Sequence, residues 1–113
     1  MRTVTVGVCS RAELNKRMLA AFGGEVQGAS INFETPELLF KVLSGKRWEL
    51  LNMMAGAGEM TLREAARRAN RDVKAVHTDV HALLNAGILS KAGDGRIVFP
   101  FDALHVDFML QAA

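Results

Sequence analysis

Apolar and polar positions alternate at the start of the chain. Val4, Val6 and Val8 fall on one side of an extended backbone, and Thr3, Thr5 and Gly7 on the other. This predicts a half-buried strand over residues 3–9. The period then changes. Ser10 reads as a helix N-cap with Glu13 completing a capping box, Leu14, Met18, Ala21 and Phe22 share one helical face, and Gly23-Gly24 ends the helix. Residues 25–34 read as a connector holding a short apolar piece, Ile31 to Phe33. Thr35-Pro36 is a strong helix start, a hydroxyl cap followed by proline at the first helical position, and Leu38, Leu39, Val42 and Leu43 give that helix a buried face. Ser44-Gly45 breaks it, and Ser44 can cap a further helix in which Trp48, Leu51 and Ala55 line up with Leu50 and Met54 beside them. The Ala-Gly-Ala-Gly run at 55–58 closes that helix.

Residues 61–99 carry the densest local signals. Thr61 caps a helix, Glu64 supplies a second capping box, and Leu62, Ala65, Ala66 and Ala69 form a small-residue inward stripe. Asn70 tolerates the left-handed backbone that a tight turn needs, and Asp72 can cap the next helix. Val73, Val76, Val80, Leu83 and Leu84 then make one continuous apolar stripe, stopped by Gly87. Ile88 to Lys91 and Arg96 to Phe99 read as two strands around the tip Ala92-Gly93-Asp94-Gly95, and Pro100 ends the pairing. The tail alternates again, Leu104, Val106, Phe108 and Leu110 against His105, Asp107 and Met109. A strand is expected, with a helix through Phe101, Leu104 and Phe108 as the alternative.

Length and charge sharpen this picture. A chain of 113 residues makes one domain with a large surface for its volume, yet 50% of it is hydrophobic, which suggests apolar surface covered by a second copy. Charge is close to balanced, 14 Lys and Arg against 12 Asp and Glu, but unevenly spread. Between 61 and 96, seven basic residues face only Glu64, Asp72, Asp79 and Asp94, so positive charge concentrates where two helices and a hairpin meet. Cys9 is the only cysteine, which rules out an internal disulfide and suits a reducing cytosol. A redox switch and a small packed residue are both open readings of it. No apolar run approaches a bilayer span, and the amino end MRTVTVGVCS lacks a secretory pattern, so a cytoplasmic chain with no membrane partner is expected.

Two short helices joined by a polar break and followed at once by a hairpin are the layout of a winged helix-turn-helix, whose second helix enters the DNA major groove. Subtracting the inner stripe leaves Arg71, Lys74, Ala75, His77, Thr78 and His81 facing outward. Lys74 can donate to guanine acceptors, Thr78 can donate, accept or touch a thymine methyl, and Ala75 permits close approach. Lys74, Ala75, His77 and Thr78 are therefore the expected base-reading set. Arg63, Arg67, Arg68, Arg71 and His81 are expected on phosphates, with Lys91 and Arg96 on the wing, where groove width and potential are read. Ordinary solvated charge and a winged helix that binds only protein are the competing readings.

The segments TLREAARRAN, DVKAVHTDVHALLNAGIL and GDGRIVF resemble the MarR-like and ArsR-like winged-helix regulators. Over roughly residues 30–110 the chain is most similar to a group of small prokaryotic DNA-binding, antitoxin-like proteins, through INFETPELLFKVLSGKRWELL ahead of the helices and VFPFDALHVDF after the hairpin. The resemblance implies a homodimer. It also implies, for some members, a protein toxin as partner and autoregulation.

The apolar strands at both ends point the same way, since open sheet edges are sticky and pairing them between copies removes the hazard. Val4, Val6, Val8, Leu14, Met18, Phe22, Leu104, Val106 and Phe108 are the dimer-interface candidates, against the alternative that the strands pair within one chain. His77 and His81 stand one turn apart, but a metal site needs a third ligand, and Asp79 lies off their face while Cys9 and His105 are remote in sequence. No metal, cofactor or catalytic constellation is expected, so the chain reads as a non-enzyme. The expected fold is mainly α with a small β component (α+β): a strand-helix segment over 1–28 as dimerisation candidate, then a winged helix-turn-helix with a C-terminal strand over 29–113. The expected function is a homodimeric, sequence-specific DNA-binding repressor acting on a pseudo-palindromic operator. The alternatives are an antitoxin and a protein-interaction module without DNA binding.

Overall fold

A computed structural model describes residues 2–9 and 29–110. The helix expected at 11–22, with its cap at Ser10 and the interface candidates Leu14, Met18 and Phe22, lies outside the described residues. The chain forms an α+β fold in two compact units, Met1–Lys41 with Ala103–Ala113, and Val42–Asp102.

The first unit is built on a three-stranded parallel sheet. The central strand β1, Thr3–Val8, lies between β2, Ser30–Phe33, and β5, Ala103–Asp107, in the order β2-β1-β5. Thr5 is opposite Ser30 and Val8 opposite Phe33 on one edge; Thr3 is opposite Ala103 and Gly7 opposite Asp107 on the other. The tail is thus a strand, as its alternation predicts. Both edges of β1 are filled from within the chain, however, so the expectation that it pairs with a second copy fails. Val4 and Val6 are fully buried and Val8 half-buried. Gly7 is needed for this arrangement, because a Cβ there would stand 2.8 Å from the backbone oxygen of Asp107. Cys9 is free and buried. Helix α1, Pro36–Val42, starts where Thr35-Pro36 predicts, with the Thr35 hydroxyl accepting from the Leu38 N–H at 3.3 Å. Its expected four-residue buried face reduces to Leu39. Leu38 is exposed, and Val42 and Leu43 are half-buried.

The second unit contains α2, Gly45–Met54, α3, Leu62–Ala69, and α4, Val73–Asn85, followed by a hairpin of β3, Ser90–Lys91, and β4, Ile97–Val98. The three helices pack on one another. Leu50, Leu51 and Met54 are the buried face of α2, a stripe that also takes in half-buried Arg47. Trp48 is one position round from it and therefore largely exposed, and Ala55 is exposed beyond the helix end. Ser44 occupies the N-cap position of α2 without a side-chain cap bond. Ala65 and Ala66 let α3 approach its neighbours closely, and Val76, Val80 and Leu83 bury the inner face of α4. Val73, the first residue of α4, is 41% exposed, outside the stripe to which its spacing assigns it. Ile88, Leu89, Ile97 and Phe99 complete the core of this unit, each such side chain contributing on the order of 1.5–3 kcal/mol. Among the described residues no helix is long and apolar enough to cross a membrane.

Candidate nucleic-acid interface

Helix α3 is fixed at both ends by backbone chemistry, and so is the turn that leads to α4. Thr61 caps α3, its hydroxyl accepting from the Glu64 N–H at 3.1 Å. At the other end Asn70 is left-handed, φ 54°. The N–H of Asn70 then reaches the Arg67 carbonyl and that of Arg71 the Ala66 carbonyl, at 3.1 and 3.0 Å, the paired bonds of a Schellman stop. Two residues later Asp72 caps α4, accepting from the Lys74 N–H at 3.1 Å. Gly87, φ 83°, ends α4 with the same pair of bonds, Gly87 to Leu84 and Ile88 to Leu83. The hairpin tip is equally specified. Asp94 and Gly95 have φ of 62° and 74°, and the Arg96 N–H donates to the Gly93 carbonyl at 3.3 Å, the two positive-φ centres of a type I′ turn. Met60, which no sequence signal singled out, extends this hairpin: its N–H and C=O both bond Ile97, at 2.9 and 2.8 Å, just before α3 begins.

These constraints leave one face of α4 open. Lys74, Ala75, His77, Thr78 and His81 are all exposed, while Val76, Val80 and Leu83 hold the opposite face. The Thr78 hydroxyl donates to the Lys74 carbonyl at 3.2 Å, which leaves its lone pairs and methyl for a ligand. The rings of His77 and His81 lie 4.1 Å apart. They line a groove of about 400 Å³ between α4 and the hairpin, floored by Leu62, Val80, Leu84 and Ile97 and flanked by Lys91. Arg68 and Arg96 line a second cleft of about 250 Å³ beside Thr61 and Glu64. Helix and hairpin residues expected to serve one ligand therefore converge at His77, His81 and Lys91, and at Arg68 and Arg96. Arg63 is exposed on α3.

Three of the arginines expected on phosphates have acidic partners. Glu64 does not reach back to close a capping box; its carboxylate accepts from Arg67 and Arg68, with Arg68 Nε at 2.8 Å. The bonds from Arg67 and then Arg68 hold the Glu64 carboxyl below its ordinary pKa, and the same contact raises Arg67. Both arginines remain exposed, and solvent-facing pairs of this kind contribute little to stability. Arg71 is different. Its side chain is only 18% exposed, and Nη2 donates to Asp79 at 2.7 Å, while Arg47 Nε donates to the other Asp79 oxygen at 3.0 Å. Arg71 is thus a strut between the turn, α4 and α2, not an outward phosphate ligand. Burial alone would raise the Asp79 pKa, but the bonds from Arg71 and Arg47 outweigh it and hold the carboxyl below the usual value. Among the described residues no group of three metal-ligating side chains comes together.

The sequence model of the HVO_A0114 family matches residues 42–106, more than half of the chain. The chain belongs to the HVO_A0114 family. No curated protein and no solved structure matches it. The part of this HVO_A0114-family chain that is matched holds α2, α3, α4 and the hairpin, hence every residue of the α4 face, the Arg47–Asp79–Arg71 strut and both clefts. It also reaches Val106 in β5, whereas β1 and β2 precede it.

Proposed function

We propose that this chain is a DNA-binding transcriptional regulator in which Val42–Asp102 acts as a winged helix-turn-helix. The observation that carries the reading is the two-sidedness of α4. One side is locked by Val76, Val80 and Leu83 and by the Asp79 strut. The other offers Lys74, Ala75, His77 and Thr78 with no covering element in their own unit. A helix that reads base edges needs both, a fixed orientation and a free polar face near its amino end. The type I′ hairpin supports the reading by setting Lys91 beside that helix and Arg96 beside Arg68 of α3, as a wing would toward the neighbouring groove. The resemblance to MarR-like and ArsR-like regulators agrees with it. In this reading Arg63, Arg67, Arg68 and His81 hold phosphates, and a homodimer sits on a pseudo-palindromic operator and represses by occluding a promoter.

The test is a gel shift and footprint on the DNA upstream of the chain's own gene, at two salt concentrations. Binding should weaken steeply with salt as phosphate contacts release counterions. Lys74→Ala and Thr78→Ala should each cost about 1–3 kcal/mol of sequence-specific affinity. Affinity unaffected by both substitutions would move the fold to the class of winged helices that bind protein.

A further inference from the structure

The sheet of the first unit ends on β5. One side of β5 is held by β1 in parallel, and among the described residues no strand lies along the other. The Ala103 N–H donates to the Arg2 carbonyl, and the Asp107 carbonyl lies over Gly7, so residues 103, 105 and 107 direct their backbone groups to β1. Successive strand residues alternate in this respect. Leu104 and Val106 therefore aim their N–H and C=O groups at the open side. β5 contains no proline, lysine or bulge of the kind that commonly blunts such an edge. The chain continues into Phe108, Met109 and Leu110, which are 36%, 79% and 97% exposed.

We propose that β5 is the surface through which two copies of this chain join, antiparallel about a two-fold axis at Val106. The register follows from chemistry. Centring on Val106 makes it a hydrogen-bonded pair with its own counterpart and sets Leu104 against Phe108 of the second copy. It sets His105 against Asp107 of the second copy in a non-hydrogen-bonded pair, where side chains stand closest. The His105 imidazole N–H then donates to that carboxylate, twice by symmetry. Both side chains are exposed in the single chain. Centring on Leu104 sets His105 against Ala103, and on Phe108 sets Asp107 against Met109; centring on His105 or Asp107 sets that residue against its own counterpart, so none of these registers matches a donor to the acid. On the opposite face Leu104, Val106 and Phe108 form an apolar strip, with Phe108 supported edge-on by Phe40 of α1, ring centroids 5.5 Å apart. The other outer strand, β2, carries SINF and has no charge with which to complement itself.

This inference rests on the homodimer of the function proposed above and not on DNA recognition, so its test contains no DNA. Sedimentation equilibrium of the full chain should show a dimer. Asp107→Lys places an ammonium group against His105 in both symmetry-related pairs and should raise the dimer Kd about tenfold. His105→Asp combined with Asp107→Lys restores opposite charges and should return Kd to within about threefold of the wild type. Circular dichroism melts check that the variants stay folded. A monomeric wild type, a dimer indifferent to Asp107→Lys, or a double variant no tighter than the single one would each overturn the proposal, while leaving DNA binding to its own test.

Discussion

Replacing Asp79 by alanine leaves two half-buried guanidinium groups without their shared acceptor. Arg71 and Arg47 are each 18% exposed and Asp79 13%, with bonds of 2.7 and 3.0 Å. A hydrogen bond to a charged group contributes about 1.5–3 kcal/mol when its removal strands the partner. Removing one member of a fully buried pair costs about 3–5 kcal/mol. Water reaches part of each side chain here, so the two bonds together place the loss at about 2–4 kcal/mol, a large share of the roughly 5–15 kcal/mol that holds a domain folded. Urea unfolding at neutral pH, followed by the fluorescence of Trp48 on α2, measures it. The pH dependence adds a signed check. Because the Asp79 pKa is depressed in the folded chain, its contribution is fully present above the unfolded carboxyl value near 3.9 and is lost as pH falls through the lower folded value. The gap between wild type and Asp79→Ala should stay constant from neutral pH down to about 5 and close below about 4. A gap under about 0.5 kcal/mol, the ordinary range of surface substitutions, would mean that Asp79 does not brace the two arginines. So would a gap that ignores acid.

Substitutions at two further positions probe the frame around the site. Gly7→Ala drives a methyl against the Asp107 backbone oxygen and should destabilise the β1–β5 pairing by about 1–3 kcal/mol, read as a lowered Tm; an unchanged Tm would mean the strands tolerate wider spacing than 2.8 Å implies. Asn70→Ala should cost about 1 kcal/mol because alanine resists φ 54°, whereas Asn70→Gly should be neutral or mildly stabilising; equal effects in chemical denaturation would remove the left-handed stop from the account.

The second unit was legible in the sequence wherever local backbone chemistry decides the outcome. Thr61, Asn70, Asp72 and Gly87 each impose a cap or a positive φ regardless of what lies far along the chain, and Asp94-Gly95 selects its turn type alone. The outward set Lys74, Ala75, His77 and Thr78 followed by subtraction once the helix was placed. What escaped depends on distant partners. In sequence Arg71 looks like Arg67 and Arg68; it differs because Asp79 and Arg47, 32 residues apart, meet it in space. Asp79 standing off the polar face of α4 was the one hint of a fixed role. Trp48 and Val73 matched an apolar period but fell just off the buried arc. Alternation at 3–8 and 103–107 announced strands without saying which strand each would join, and β1 and β5 pair across nearly the whole chain. Met60 carries no local mark of its bridge to Ile97, because one residue cannot show a period.

We propose the solvent face of α4 as a reading surface for DNA. Amide NMR of the full chain, titrated with a duplex from its own upstream region, tests this residue by residue. The account expects the largest shifts at Lys74, Ala75, His77 and Thr78, with a second group at Lys91 and Arg96 and little change at Val76, Val80 and Leu83. Saturable binding whose shifts avoid α4, or no binding at low salt, would contradict it.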